Sequence, residues 1–305
     1  MIASWSRRAT LALAGAGAAA LLVACGSGTV VSDLNPKRFV SFGDGFSDVG
    51  QNGYRFTVND GTLNWTQQLA SQYSLPLSAA SAGGFSYAQG NARVASADTS
   101  SGTHAPSVSA QIDAFLARTS FASNEDVVVV SGGVSDLVAA VNASGISDAT
   151  TQAARGAGKA LADQVRRLVN AGAHHVVLTG VYNLGDTPWA RAMGQQGAIS
   201  DLSIAFNDAL LVNIVDLGQY VMYVDSALFY NLVHGKPGNY TLDNGDDPVC
   251  TTPDATTCTA STVLSGVDYN KYLYADNLNL TPAAQRLFAS DNYAEAVYYK
   301  LKRRW

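Results

Sequence analysis

The sequence of 305 residues has little cysteine, little histidine and no long apolar run. Its three cysteines, Cys25, Cys250 and Cys258, are too few for a cysteine-rich zinc site. Neither Cys250 nor Cys258 has a neighbouring histidine to complete a tetrahedral one. The four histidines, His104, His174, His175 and His234, stand apart from the polar loops described below. With a formal net charge of -5, the chain carries no basic stripe with interleaved aromatics, which argues against a nucleic-acid partner. The basic tail "KLKRRW" (300–305) reads as a solvated helix end whose cations suit the helix dipole. The apolar run "ATLALAGAGAAALLVAC" (9–25) falls short of the ~20 residues that span a bilayer. No repeat and no second core is visible, which leaves one large domain.

What is present begins with export. "MIASWSRR" followed by the apolar run has the layout of a signal segment. Its end, "LVAC", resembles the lipobox of bacterial lipoproteins, which implies that Cys25 is lipidated and becomes the mature N-terminus. A membrane is then a partner, and the location is the bacterial envelope. Gly26 is similar to the default outer-membrane sorting pattern. "SRRATL" is similar to a twin-arginine signal, so that route and general secretion both stay open. The chain divides into a signal (1–24), a lipidated N-terminus and linker (25–36), and one domain (37–305). Cys250 and Cys258 bracket the polar "TTPDATT" in a protein bound for an oxidising compartment, and a local disulfide is expected.

In the body, "RFVSFG" (38–43), "EDVVVVSGG" (125–133), "HHVVLTG" (174–180) and "YVMYVD" (220–225) read as strands. The four-valine run marks a strand covered on both faces. Helical stretches lie between them: "NWTQQLASQY" (64–73), "SVSAQIDAFLAR" (107–118), "QAARGAGKALADQVRRLVNAGA" (152–173) and "LSIAFNDALLVNIV" (202–215). This alternation predicts a parallel sheet sandwiched by helices, with the strand-to-helix loops along one edge. A further helix begins at Pro282, with Thr281 as its N-cap. Residues 236–266 form a long excursion over a face.

Four polar loops then fall along the edge where open α/β sheets bind ligands: "GDGFSD" (43–48), "YAQGNARV" (87–94), "GGVSDL" (132–137) and "ADNLNLTP" (275–282). Together they resemble the blocks of the SGNH/GDSL esterases and lipases, in the secreted bacterial branch. That resemblance implies a doubly wound α/β/α sandwich. It sets Gly45 at the nucleophile position and Gly90 at an oxyanion-hole N–H. Ser135 takes the place of the oxyanion asparagine, and Asp276 and Asn279 stand where the family has its aspartate and histidine.

Only Gly90 and Asp276 keep the family residue. Gly45 has no oxygen to attack with, and the Asn279 amide has no basic lone pair to accept a proton. Asn279 can still bond to Asp276 and hold the loop in shape. Ser135 reaches less far than asparagine, and one lost oxyanion donor costs about 3 kcal/mol. Ser47 is a substitute nucleophile displaced by two residues. Phe46, Tyr54, Trp65, Phe85 and Tyr87 either line an acyl or sugar pocket or belong to the core. Asp44, Asp48, Asp136 and Asp276, with Ser135 and Asn279, could offer hard oxygens to calcium or magnesium. The simpler reading makes Asp44 and Asp136 loop braces, and no metal or other cofactor is expected. The sequence therefore points to an anchored, SGNH-like binding or accessory protein for an acyl ester or acylated glycan. The alternative is an ester hydrolase acting through unconventional residues.

Overall fold

The computed structural model describes residues 32–99, 101–122 and 124–305. The expected signal, Cys25 and most of the linker lie outside these residues. Four strands, β1 (Arg38–Phe42), β2 (Asp126–Val130), β3 (His175–Leu178) and β4 (Val221–Tyr223), pair in parallel in that order. Val40, Val128, Val176 and Val221 stand in register across the sheet. All five residues of β2 are buried, as a strand covered on both faces requires. Its one charged residue, Asp126, is compensated by Arg38 of β1, whose Nε donates to the carboxylate at 2.8 Å.

A short extended segment completes the sheet on the far side of β1. The Ser41 N–H donates to the Phe85 carbonyl at 3.0 Å, the Tyr87 N–H to Ser41 at 2.7 Å, and the Gln89 N–H to Gly43 at 3.1 Å. The chain leaves β1 in one direction through α1 (Trp65–Ser71) and returns through α2 (Val108–Arg118) to β2. Beyond β2 come α3 (Val134–Ser144) and α4 (Asp148–Asn170), then α5 (Pro188–Met193) and α6 (Gln196–Val212) between β3 and β4. Right-handed crossovers that proceed in opposite directions place their helices on opposite faces. The result is a doubly wound α/β/α sandwich, and the winding reverses between β1 and β2. Loops from those two strands part there and leave a crevice.

Local chemistry sets the helix starts. Asn64 caps α1 with a reciprocal bond to Gln67, and Ser107, Ser147 and Thr281 each accept an N–H three residues on. The helix at Pro282, α8 (Pro282–Ala289), packs against α1. It stops where the Ser290 hydroxyl donates to the Leu287 carbonyl at 2.8 Å, and the chain resumes as α9 (Val297–Leu301). Both described chain ends meet at the amino edge of the sheet. The Ser32 N–H donates to Lys302 at 2.9 Å, and the Trp305 ring lies 4.9 Å from that of His175.

The excursion over 236–266 follows α7 (Ser226–Gly235) and builds a lobe of its own. In it, β5 (Asn244–Pro248) pairs with β6 (Tyr272–Tyr274), and Cys250 and Cys258 form a disulfide with a Cα–Cα distance of 5.9 Å. Val58, Val249, Ala255 and Ala275 surround the disulfide as a second, small core. Asn59 ties the lobe to the body by donating to the carbonyls of Ala255 at 3.0 Å and Cys258 at 3.2 Å.

The tightest helix contact depends on Gly158 of α4. A β-carbon there would stand 2.2 Å from the Phe206 carbonyl oxygen of α6. Alanine is the better helix former by about 1 kcal/mol, whereas overpacking against a fixed backbone costs about 1–3 kcal/mol. The backbone cannot give way as a side chain would, so the clash prevails and Gly158→Ala should lower the unfolding free energy in urea titration, by up to about 2 kcal/mol.

Candidate functional site

A cleft of about 420 Å³ opens at the carboxyl ends of β1 and β2. Its lining includes 44–46 after β1, 134–135 at the start of α3, 276–279 before α8, and Pro253, Asp254 and Thr256 from the disulfide lobe. Buried aspartates hold these segments in place. Asp44 accepts the N–H groups of Phe46 and Val134, each at 3.2 Å, and so joins the β1 loop to the N-terminus of α3. Asp136 accepts from Val94 at 2.9 Å, with Arg93 at 3.8 Å. Asp48 accepts from Gly50 at 2.8 Å, Gln51 at 3.0 Å and Gly90 at 2.8 Å. Burial pushes the Asp44 and Asp136 carboxyls up to about 6 and also raises that of Asp48. Among the described residues, no group of three histidine, cysteine or acidic side chains could hold a metal ion.

Gly45, Ser135, Asp276 and Asn279 come together on the cleft wall. Asp276 accepts the backbone N–H groups of Leu278 at 2.8 Å and Asn279 at 2.6 Å. The Asn279 amide adds bonds to both carboxylate oxygens, at 3.1 and 2.9 Å. Asp276 also takes the Ala255 N–H at 2.9 Å, from between the two half-cystines. The Asp276 carboxylate is thus engaged in shaping two walls.

Two other sequence-derived residues do not reach the cleft. The resemblance gave Gly90 an N–H aimed at an oxyanion, but that N–H is donated to buried Asp48, and Asn91 lines the cleft in its place. Asn91 adopts φ +66°, an uncommon conformation outside glycine. Ser47 is fully buried, with its hydroxyl 2.7 Å from that of Ser131. No lysine, arginine or histidine lines the cleft among the described residues. His175 begins β3 at the opposite edge beside His174, and His234 lies 3.2 Å from Asp246. Exposed His104 does not line the cleft either.

Phe56 is the residue that sequence reasoning missed. A β-carbon on Gly45 would come within 3.0 Å of Phe56 Cγ, and one on Gly90 would overlap the far side of the ring, 1.6 Å from Cε2. The ring therefore spans from one glycine to the other. It occupies the space that a side chain at Gly90 would enter and lies in tight contact with the position of a Gly45 β-carbon. No local pattern marks "YRF" (54–56) for this position, which depends on a loop closed by Arg55, Asn59 and the lobe. Of the aromatics considered from sequence, Phe46 and Tyr54 line the cleft, whereas Trp65 and Tyr87 are core residues. Phe85 packs beneath the Arg38 and Arg118 guanidinium groups, at 4.8 and 4.5 Å. Tyr182 adds a further ring to the cleft and donates to the Leu278 carbonyl at 2.8 Å.

No protein-family model matches the chain, and a search of curated proteins gives no match. Among solved structures, one is 16% identical over 85% of this chain and 94% of its own, with a TM-score of 0.45. A protein from Lactobacillus plantarum is 13% identical over 84% of this chain and 93% of its own, with a TM-score of 0.43. A carbohydrate acetylesterase from Sinorhizobium meliloti is 15% identical over 62% of this chain and 84% of its own, with a TM-score of 0.37. All three likenesses are distant.

The raised carboxyls give a pH signature. Between about pH 4 and pH 6 the native chain keeps protons on Asp44 and Asp136 that the unfolded chain releases. Stability from these two groups therefore falls as pH rises, and the fall is complete above about pH 6. In the double variant Asp44→Asn, Asp136→Asn, the change in Tm from pH 4 to pH 6 should be more positive than in the parent. An identical change in the two proteins would contradict the assignment.

Proposed function

We infer that this chain is a binding protein of SGNH/GDSL-hydrolase descent, held at the bacterial envelope by lipid on Cys25, with a cleft that no longer performs triad chemistry. The observation that carries this reading is the Phe56 ring lying across Gly45 and Gly90. A serine hydrolase needs a hydroxyl, a base and an open oxyanion site, and removing the nucleophile or base alone costs about a million-fold. Here glycine stands at the hydroxyl's position, an amide at the base's, Asp48 occupies the Gly90 N–H, and an aromatic ring packs against both glycines.

The cleft lining supports a neutral ligand rich in hydrogen-bonding groups. Asp44, Asp254 and Asp276 border the cleft without an opposing cation, which disfavours a free carboxylate or phosphate. Asn91, Ser101, Thr103, Ser135 and Asn277 offer neutral donors and acceptors, while Tyr54 and Phe56 offer apolar ring surface. An acylated glycan combines both features, and a simple acyl ester uses the second.

Short-chain p-nitrophenyl esters should show no turnover above buffer, and a fluorophosphonate should leave the protein unlabelled. Labelling at Ser101 or Ser135, the serines on the cleft wall, would instead establish the ester-hydrolase alternative. Titration with acetylated oligosaccharides should saturate without product, and Tyr54→Ala should weaken binding about tenfold, ~1.4 kcal/mol. Restoring Gly45→Ser, Ser135→Asn and Asn279→His together should give no esterase activity while Phe56 remains. Activity in that triple variant would show that the ring does not block the site.

A further inference from the structure

We propose that the amino edge of the sheet, opposite the cleft, is a docking face for an anionic lipid bilayer. The two most exposed large apolar residues of the described chain are Val215, 82% exposed, and Val212, 72% exposed. Both lie at the end of α6, immediately before β4 begins at the amino edge. The C-terminal residues lie against the same turn. Arg304 donates to the Gly218 carbonyl, and the Trp305 indole N–H donates to Gln219 at 3.4 Å. The tail brings Lys300, Lys302, Arg303 and Arg304 to this edge of a chain whose net charge is -5.

Nearby acids offset only part of this charge. Asp291 pairs with Lys302 and stands 3.9 Å from Arg303, and Asp216 is taken by Arg166 at 2.7 Å. Lys300 and Arg304 have no carboxylate partner among the described residues. Exposed valines beside an indole and cations that lack a carboxylate partner suit the interface of an anionic bilayer, where apolar side chains enter and cations meet lipid phosphates.

The tether points to the same occupant. Ser32, the first described residue, is bonded to Lys302 on this edge. It follows Cys25 by seven positions, so even a fully extended connection reaches no more than ~25 Å. A lipid on Cys25 therefore holds this edge close to the bilayer and leaves the cleft facing away. The proposal rests on lipidation of Cys25 and is independent of what the cleft binds.

The native tryptophans provide the test. Trp305 lies at the proposed face, Trp65 is fully buried, and Trp189 lies at the cleft edge, where its N–H bonds to Asn277. The mature full chain, extracted from membranes, is reconstituted into vesicles of phosphatidylcholine and phosphatidylglycerol that carry brominated acyl chains. Fluorescence should fall in these vesicles relative to unbrominated ones. The fall should disappear in Trp305→Phe and persist in Trp189→Phe. It should also shrink when phosphatidylglycerol is omitted, and again in the double variant Val215→Asp, Arg304→Glu. Overturning results are quenching carried by Trp189, quenching that survives both single substitutions, and no quenching. Recovery of the chain in the soluble fraction, or self-association through Val215 in place of vesicle contact, would also overturn the proposal.

Discussion

Where the sheet ends, backbone N–H groups turn inward, and in this protein carboxylates satisfy them. Asp44, Asp48, Asp136 and Asp276 each accept one or more of these donors from a different loop. A buried carboxylate without donors is costly, and a buried N–H without an acceptor costs about 1–3 kcal/mol, so each bond removes two liabilities together. The raised carboxyls of Asp44, Asp48 and Asp136 show that burial outweighs the donors at those sites. The cleft takes its shape from this network, and the network leaves few free groups for chemistry.

The same network fixes the surroundings of Asp276, the acid position implied by the resemblance. Asp276 would need an imidazole to orient, and it meets the Asn279 amide, with the Ala255 N–H occupying one of its oxygens. The amide preserves the turn before α8, because a side-chain N–H can donate whether or not the group is basic. The wall before α8 thus stands without a basic side chain at position 279. At Gly45 and Gly90 the Phe56 ring packs into the volume that two bare α-carbons leave open.

Much of the architecture was legible from short-range pattern. The four-valine run, the apolar stretches at 174–180 and 220–225, and the Thr281–Pro282 start were readable because burial on both faces and capping leave local signatures. The segment at 85–89 was not readable as sheet, since its pairing with β1 is one short bridge without a periodic apolar run. Helices α3 and α7 and the small β5–β6 sheet also escaped notice. The two helices join the main core through Leu137, Val141, Phe229 and Val233, whereas the small sheet lies in the lobe whose core surrounds the disulfide. The family resemblance sets Gly45, Ser135, Asp276 and Asn279 at one site, and all four line the cleft. Phe56 and the diversion of the Gly90 N–H were beyond reach, because each depends on a partner distant in sequence.

The disulfide lobe carries a consequence for chronology. Pro253, Asp254 and Thr256 lie between the half-cystines and make up one side of the cleft. A bridge closing so short a loop removes about 2–3 kcal/mol worth of disorder from it, and thiols persist until the chain meets an oxidising environment. The wall is therefore completed only once the bridge has formed, and if the cleft binds a ligand as proposed above, that ligand meets the finished wall only after oxidation. In this way a covalent event remote from any chemistry in the cleft dates the onset of recognition.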